Sequence, residues 1–97
     1  MAKGYWITTY RSISNPDALM AYAKIAGPAL EKQGGRFIVR GMPAKAMEQG
    51  LMQRTVIIEF PSVEAAASAY ASPEYRKALD ALGTNSCERD MRIVEGL

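Results

Sequence analysis

Three pairs of a proline and a helix-capping residue divide this chain into short elements. They are Asn15-Pro16, Pro61-Ser62 and Ser72-Pro73. Asn and Ser side chains accept hydrogen bonds from the free N–H groups at the start of a helix, whereas proline cannot donate to the ladder of a sheet. We therefore predict helices that begin near residues 16, 63 and 73, and a strand that stops at Pro61.

Four segments have the composition of strands. Aromatic and β-branched residues are concentrated in residues 4–11, 36–40, 54–60 and 88–95. Residues 41–53 contain Gly, Pro and polar residues, and are predicted to form an exposed arm between the second and third strands. The first helix is expected to kink at Pro28 and to end at Gly34-Gly35. Its buried side is marked by apolar residues at helical spacing, namely Leu19, Tyr22, Ala23, Ala26, Ala29 and Leu30.

The predicted order of elements, β-α-β-β-α-β, is typical of an α+β ferredoxin-like fold, with an antiparallel sheet and its helices on one face. We expect residues 1–97 to form a single domain of this kind. Strict alternation predicts that the helices are faced by Phe37, Val39, Val56, Ile58 and Phe60. The opposite face then carries Arg36, Ile38, Arg40, Thr55, Ile57 and Glu59. Because this second face is apolar and has no helix over it, we expect a second copy of the sheet to pack on it as a homodimer.

The composition excludes several classes of function. The chain has 12 basic and 10 acidic side chains, and the basic ones are scattered rather than clustered as on a nucleic-acid-binding surface. With no histidine and only Cys87, it lacks the Ser-His and Cys-His pairs of nucleophilic enzymes and the usual ligands of zinc or haem. We therefore predict no metal, no cofactor and no nucleic-acid partner.

The same features indicate where the protein resides. A lone thiol at Cys87 cannot form an internal disulfide, which is typical of a reducing compartment. Residues 1–7 lack the apolar core and cleavage site of a secretory signal, and no apolar run is long enough to span a membrane. The expected location is the cytoplasm, with no membrane partner.

Several motifs resemble those of the domain-of-unknown-function 1330 family. They lie at residues 3–7, 34–41, 58–62, 72–75 and 92–96, and together they extend over nearly the whole chain. The resemblance implies a dimeric α+β barrel, in which two ferredoxin-like sheets face each other. Proteins of that wider group include monooxygenases, haem-degrading enzymes and proteins with no assigned activity. The resemblance therefore implies a fold and a dimer, and no particular reaction.

This chain departs from the pattern of the family at Met42, Ala69 and residues 78–87. Many members have a glycine and a tryptophan at the first two positions, and an arginine shortly after the Ser-Pro-Glu-Tyr motif. If that arginine binds an anion in relatives, this protein binds a different ligand or none.

Glu59, Arg36 and Arg40 are the charged candidates for a binding site. Glu59 lies within an apolar strand, and antiparallel pairing predicts that Arg36 lies opposite it. Glu59 is then either a ligand-binding carboxylate that Arg36 orients or half of an ion pair at the dimer interface. Arg40 is either a fork that binds a carboxylate or phosphate, or a solvated charge at the end of a strand.

Tyr70, Tyr75 and Ser72 surround the break between two helices. The two phenols can line a cleft, and the helix that begins at Ser72-Pro73 can hold an anion at its N-terminus. In the alternative reading, the rings fill space between helices and sheet, and Ser72 only caps the helix. Trp6 and Tyr10 share one strand face and either stack on a planar ligand or pack in the core.

Two functions remain open from the sequence. The first is a small-molecule binding protein or a cofactor-free enzyme, with a pocket near Glu59, Arg36, Tyr70 and Tyr75. The second is a structural or regulatory dimerisation module without catalytic activity.

Overall fold

The computed structural model describes residues 2–97. Its elements are β1 (Gly4–Ile13), α1 (Pro16–Lys32), β2 (Arg36–Gly41), β3 (Thr55–Phe60), α2 (Val63–Ala71), α3 (Pro73–Leu82) and β4 (Cys87–Glu95). The four strands form one antiparallel sheet in the order β2-β3-β1-β4. This is the predicted ferredoxin-like fold, with the second helical region divided into α2 and α3.

The helices begin where the proline and capping pairs predicted. Asn15 accepts a hydrogen bond from the backbone N–H of Ala18, and Ser62 accepts one from Ala65. Ser72 both ends α2 and starts α3, because its hydroxyl donates to the Ala69 carbonyl at 2.7 Å and accepts from the Tyr75 N–H at 3.3 Å. Pro28 lies inside α1, and the helix continues through it to Lys32.

The sheet has one face under the helices and one face without a helix. We call them the covered face and the open face. On β1 and β3 the covered face carries Trp6, Tyr10, Ile58 and Phe60, all of which are buried. These side chains form the core together with Tyr22 and Leu30 of α1 and residues of α2 and α3. On the open face, Ile7 pairs with Ile57 across β1 and β3.

A β-bulge in β2 changes which residues face the helices. Phe37 pairs with Ile58, but the next pairs are Val39 with Ile57 and Arg40 with Val56, so Ile38 is an extra residue. Because paired residues share a face, Val39 lies on the open face and Arg40 on the covered face. The predicted faces of Val39 and Arg40 were therefore wrong, since strict alternation does not hold across a bulge.

Gly35 allows the start of β2 to pack closely against the end of α1 and the core. A Cβ at this position would lie 2.8 Å from the ring of Phe60, 2.9 Å from Ile58 and 2.9 Å from the carbonyl oxygen of Leu30. Its N–H donates to the same carbonyl oxygen, which joins the end of α1 directly to the start of β2. Only glycine fits this close packing.

Candidate functional site

A cleft lies between α1 and the covered face of the sheet. It encloses about 40 Å³, and its apolar walls include Leu19, Ala26 and Phe37. Its polar groups come from five parts of the chain and are Thr8, Tyr10, Tyr22, Arg40, Arg54 and Arg89. A single water needs about 10–15 Å³ of such space, so the cleft has room for roughly three waters or one small functional group.

Arg89 and three tyrosines form a group that we call the Arg89 cluster, and Arg89, Tyr10 and Tyr22 of this group line the cleft. Arg89 donates hydrogen bonds to the hydroxyls of Tyr10 at 3.2 Å, Tyr22 at 3.1 Å and Tyr75 at 3.3 Å. The hydroxyls of Tyr22 and Tyr75 are 2.7 Å apart. The guanidinium also lies over the ring of Tyr22, 4.8 Å from its centroid, so the cation has aromatic and hydroxyl neighbours.

Tyr10, Tyr75 and Arg89 of this cluster do not exchange protons near neutral pH. Burial raises the pKa of Tyr10 and of Tyr75, and the nearby Arg89 charge only partly opposes that effect. For Arg89, burial lowers the pKa, but its tyrosine neighbours raise it more, and the net result lies above the ordinary value. Tyr10 and Tyr75 therefore stay neutral and Arg89 stays charged, which suits binding rather than proton transfer.

Two further arginines extend from the cluster towards solvent. Arg54 precedes β3 and is half-buried, and its Nε–H is the one buried side-chain polar group of residues 2–97 without a hydrogen-bond partner. Arg40 is exposed at the mouth, where its guanidinium lies 4.8 Å from the ring centroid of Phe37. No carboxylate lines the cleft, and within residues 2–97 Arg40, Arg54 and Arg89 form no salt bridge.

Trp6 lies beside the cleft and belongs to the core, as the packing alternative predicted. It is 1% exposed, and its indole N–H donates to the Thr8 hydroxyl at 2.9 Å. Its ring packs edge-on against Tyr75, with centroids 5.1 Å apart. Since Trp6 lines the cleft and is the only tryptophan, its fluorescence reports on this place in the molecule.

Glu59 and Arg36 lie opposite each other on the open face, as predicted. The Glu59 carboxylate accepts hydrogen bonds from Lys3 at 3.1 Å and from the Tyr5 hydroxyl at 3.2 Å, and Arg36 Nε is 3.8 Å away. The hydrogen bond from Lys3 is the main reason why the pKa of Glu59 lies below its ordinary value. This arrangement has the form of the predicted ion pair, and a role in ligand binding stays a prediction.

The two tyrosines at the break between α2 and α3 differ in exposure. Tyr70 is 37% exposed and has the guanidinium of Arg76 over its ring, 4.7 Å from the centroid. Tyr75 is 0% exposed: its ring fills the core, in agreement with the packing alternative, and its hydroxyl faces Arg89. Ser72 is buried as a cap for two helices, and an anion site at that helix start stays a prediction.

A family model described as a domain of unknown function (DUF1330) matches residues 3–97. The chain belongs to this family. No curated protein sequence matches the DUF1330 chain. Within residues 2–97, no helix is long and apolar enough to cross a bilayer, and no three His, Cys, Asp or Glu side chains are grouped as metal ligands.

Solved structures share the fold of this DUF1330 chain at low sequence identity. The RPA0582 protein of unknown function from Rhodopseudomonas palustris has 19% identity and a TM-score of 0.75, over 99% of this chain and 83% of that one. SnoaB, a cofactor-independent oxygenase from Streptomyces nogalater, has 13% identity and a TM-score of 0.61, over 100% and 93%. A dimeric ferredoxin-like protein of unknown function from Thermobifida fusca has 16% identity and a TM-score of 0.55, over 96% and 90%.

The most highly connected polar residue of the DUF1330 chain, Arg89, was not among the sequence candidates. Alternation along β4 would have found it, because Arg89 shares a face with the apolar residues Met91 and Ile93 of the same strand. The same alternation along the predicted strand 54–60 would have indicated Arg54, because it lies two residues before Val56 on the face towards the helices.

Proposed function

We propose that this DUF1330 protein binds a small molecule in the cleft between α1 and the covered face of the sheet. The observation that carries the proposal is the convergence of donors from separate elements beneath apolar walls. Tyr10 comes from β1, Tyr22 from α1 and Arg89 from β4, and each lines the cleft. A concave apolar site with a few convergent polar groups is the usual form of a small-molecule site.

Binding without chemistry is the version that the cleft supports best. A cofactor-free enzyme needs a group that accepts or delivers a proton near neutral pH. The cleft is lined by no Asp, Glu, Lys or Cys, and its tyrosine Tyr10 has a raised pKa. The likeness to the oxygenase SnoaB is a likeness of fold, and it adds no residue that would supply such a group.

The size of the cleft limits what lies inside it. A volume of about 40 Å³ takes one functional group and not a whole ring system. The rest of a larger ligand would extend out of the cleft, past the exposed Ala23 of α1. A bulkier side chain at Ala23 should therefore obstruct entry while leaving the core intact.

Fragment binding followed by NMR and by Trp6 fluorescence tests this proposal. A set of neutral, acidic and basic fragments is added to the protein, and Trp6 fluorescence and the backbone amides of α1, β1 and β4 are followed. We expect bound fragments to shift amides around the cleft. Ala23→Leu should weaken their binding about tenfold, and Ala21→Leu on the same helix should not, because Ala21 is exposed and does not line the cleft.

The proposal fails if no fragment shifts the cleft amides, or if the shifts map to another surface. It fails equally if Ala23→Leu and Ala21→Leu bind the same fragments alike. Urea unfolding of both variants serves as the control for intact folding, since leucine is a good helix former at an exposed position.

We further propose that the open face pairs two copies of the chain as a homodimer. The support is an apolar surface of Ile7, Ile57, Val39 and Val94, of which Val39 and Val94 are exposed in the single chain. A dimer also adds stability to a chain of this small size. Ile57→Asp should yield a monomer in sedimentation, and a wild-type chain that is monomeric at micromolar concentration would refute the dimer.

The alternative function, a dimerisation module without a ligand, is separated by combining the two experiments. A dimer whose cleft takes no fragment would favour the module. Fragment binding that persists in the Ile57→Asp monomer would place the function in the cleft of each chain. The cytoplasmic location that the lone Cys87 suggests stays a prediction.

A further inference from the structure

We propose that the ligand of the cleft is a monocarboxylate with an apolar chain, and that its carboxylate is bound by the Arg89 cluster and Arg54. This inference rests on the proposed function of the cleft and specifies the chemical class of the ligand. It is carried by three independent observations: an unbalanced charge, surplus hydroxyl protons and a buried N–H without an acceptor.

The charge of the cleft is unbalanced. Arg40, Arg54 and Arg89 all line it, arginine stays protonated at any ordinary pH, and no acidic side chain lines the same space. Elsewhere in residues 2–97, Glu59 pairs with Lys3 and Arg36, and Asp90 pairs with Arg11. A half-buried cation without a partner is costly, so the cleft favours a negative charge that comes from outside the chain.

The hydroxyl protons of the Arg89 cluster exceed their acceptors. Tyr10, Tyr22 and Tyr75 each carry one O–H proton, and the contact between Tyr22 and Tyr75 uses one of the three. Arg89 only donates, so it can accept neither of the other two. If Tyr75 donates to Tyr22, the protons of Tyr10 and Tyr22 are both free to point into the cleft, which both residues line.

Arg54 adds a third donor to the same space. Its Nε–H is buried and unpartnered, and a buried donor without an acceptor is destabilising. An anion in the cleft would supply the acceptors that Tyr10, Tyr22 and Arg54 lack. The structure therefore holds a set of donors whose common need is an acceptor with several lone pairs.

The size and walls of the cleft select a carboxylate among anions. A carboxylate group has three heavy atoms and a planar shape that matches guanidinium forks. It fits a volume of about 40 Å³, and apolar walls at Leu19, Ala26 and Phe37 suit a hydrocarbon chain beside it. A phosphate monoester carries more charge and more oxygens, which these walls cannot solvate.

A matched acid and amide test the inference. Propanoate and propanamide are titrated separately at constant ionic strength, held with sodium chloride, and followed by Trp6 fluorescence and by the Arg54 Nε–H resonance. We expect propanoate to bind at least about tenfold tighter than propanamide, as charge-assisted hydrogen bonds imply. The Arg54 Nε–H resonance should move downfield with propanoate as it gains an acceptor.

Two variants locate the charged group. Arg54→Gln and Tyr10→Phe should each weaken propanoate binding several-fold or more, and Tyr10→Phe keeps the ring that packs in the core. Arg92→Gln is the matched control, because Arg92 is exposed on the open face of β4 and does not line the cleft. It should bind propanoate like the wild type.

The outcomes separate this inference from the proposed function. If propanamide binds as tightly as propanoate, or neutral fragments bind the cleft as tightly as acids, the ligand class is wrong while the cleft remains a binding site. If inorganic phosphate binds tighter than propanoate, the choice of a carboxylate is wrong. If propanoate binds without moving the Arg54 Nε–H and Arg54→Gln changes nothing, the assigned residues are wrong. If no fragment of any charge binds the cleft, the proposed function itself fails.

Discussion

The two faces of the sheet treat charge in opposite ways. On the open face two carboxylates are paired within the chain, Glu59 with Lys3 and Arg36, and Asp90 with Arg11. On the covered face Arg89 is surrounded by tyrosine hydroxyls, and no carboxylate lines the cleft with it. The sheet thus pairs these two carboxylates with cations on the side without helices, and has no carboxylate beside the arginines of the cleft on the side with them.

This difference separates two roles for arginine. Ion pairs on the open face are accessible to water, so they contribute little to stability and suit an interface that orients two copies. A buried cation that has no carboxylate partner lowers the stability of the fold. It also gives the cleft a preference for anions. The following predictions test whether the two faces are as different as this comparison implies.

The largest difference between the two faces should be in the stability that a buried isoleucine side chain contributes. Ile58 and Ile57 are adjacent in β3 and point to opposite faces, and Ile58 is 2% exposed. Ile58→Ala should lower the free energy of unfolding by about 2–5 kcal/mol, because it leaves a cavity in the core. Ile57→Ala should cost less at high dilution, where single chains predominate. Urea denaturation of both variants measures the contrast, and equal losses at high dilution would contradict it.

The next largest effect should come from Arg89. Arg89→Gln removes its three hydrogen bonds to tyrosine hydroxyls, and should lower stability by about 1–3 kcal/mol. Arg92→Gln, three residues along β4 on the open face, should leave stability nearly unchanged because Arg92 is exposed. Thermal unfolding in a buffer without carboxylates measures both variants. If the Arg89→Gln variant is as stable as the Arg92→Gln variant, the Arg89 cluster does not stabilise the core.

Alkaline pH should act on the covered face. Burial raises the folded-state pKa of Tyr75 and Tyr10 above the ordinary value of 10.0. Their contribution to stability is therefore fully present below pH 10 and is lost as pH rises towards the folded pKa, since only the unfolded chain ionises easily. Tyr75→Phe should flatten this loss. Unfolding experiments at several pH values above 9 measure the slopes, and parallel slopes for variant and wild type would refute this origin.

Acid pH should act on the open face, with the smallest effect. Hydrogen bonds from Lys3 to Glu59 and from Arg11 to Asp90 hold the pKa of each carboxyl below its ordinary value, 4.5 and 3.8 respectively. The stability they contribute is present above those values and is lost as pH falls through the folded pKa. Glu59→Gln and Asp90→Asn should each reduce this acid dependence, and salt should reduce it further in the wild type. An unchanged acid slope in both variants would show that the pairs are not formed in solution.

The fold could be predicted well from the sequence because the residues that end strands and begin helices act locally. A proline with a capping Asn or Ser acts within four residues, so the starts of α1, α2 and α3 follow from short-range chemistry. The pairing of Glu59 with Arg36 also followed from antiparallel geometry, because β2 and β3 are consecutive strands of the chain. Such features need no knowledge of the distant parts of the chain.

The site was harder to predict because it is built from long-range contacts. Arg89 and Tyr10 are 79 residues apart in sequence, and they meet only when β4 pairs with β1. The tyrosines were identified as aromatic residues, but the position of their hydroxyls around one guanidinium depends on how α1 and α3 pack. Arg40 was recognised as a candidate, yet its face depended on a bulge that alternation does not reveal.

The extra residue at Ile38 has a consequence for the comparison of sequences. Because the bulge absorbs one position, Phe37 and Arg40 reach the same side of β2 although two residues separate them. A homologue without the bulge would place its equivalent arginine only two positions after the aromatic residue. An alignment of such homologues therefore needs a gap beside Ile38, and without one it would match the arginine at the mouth of the cleft to a residue on the other side of the sheet.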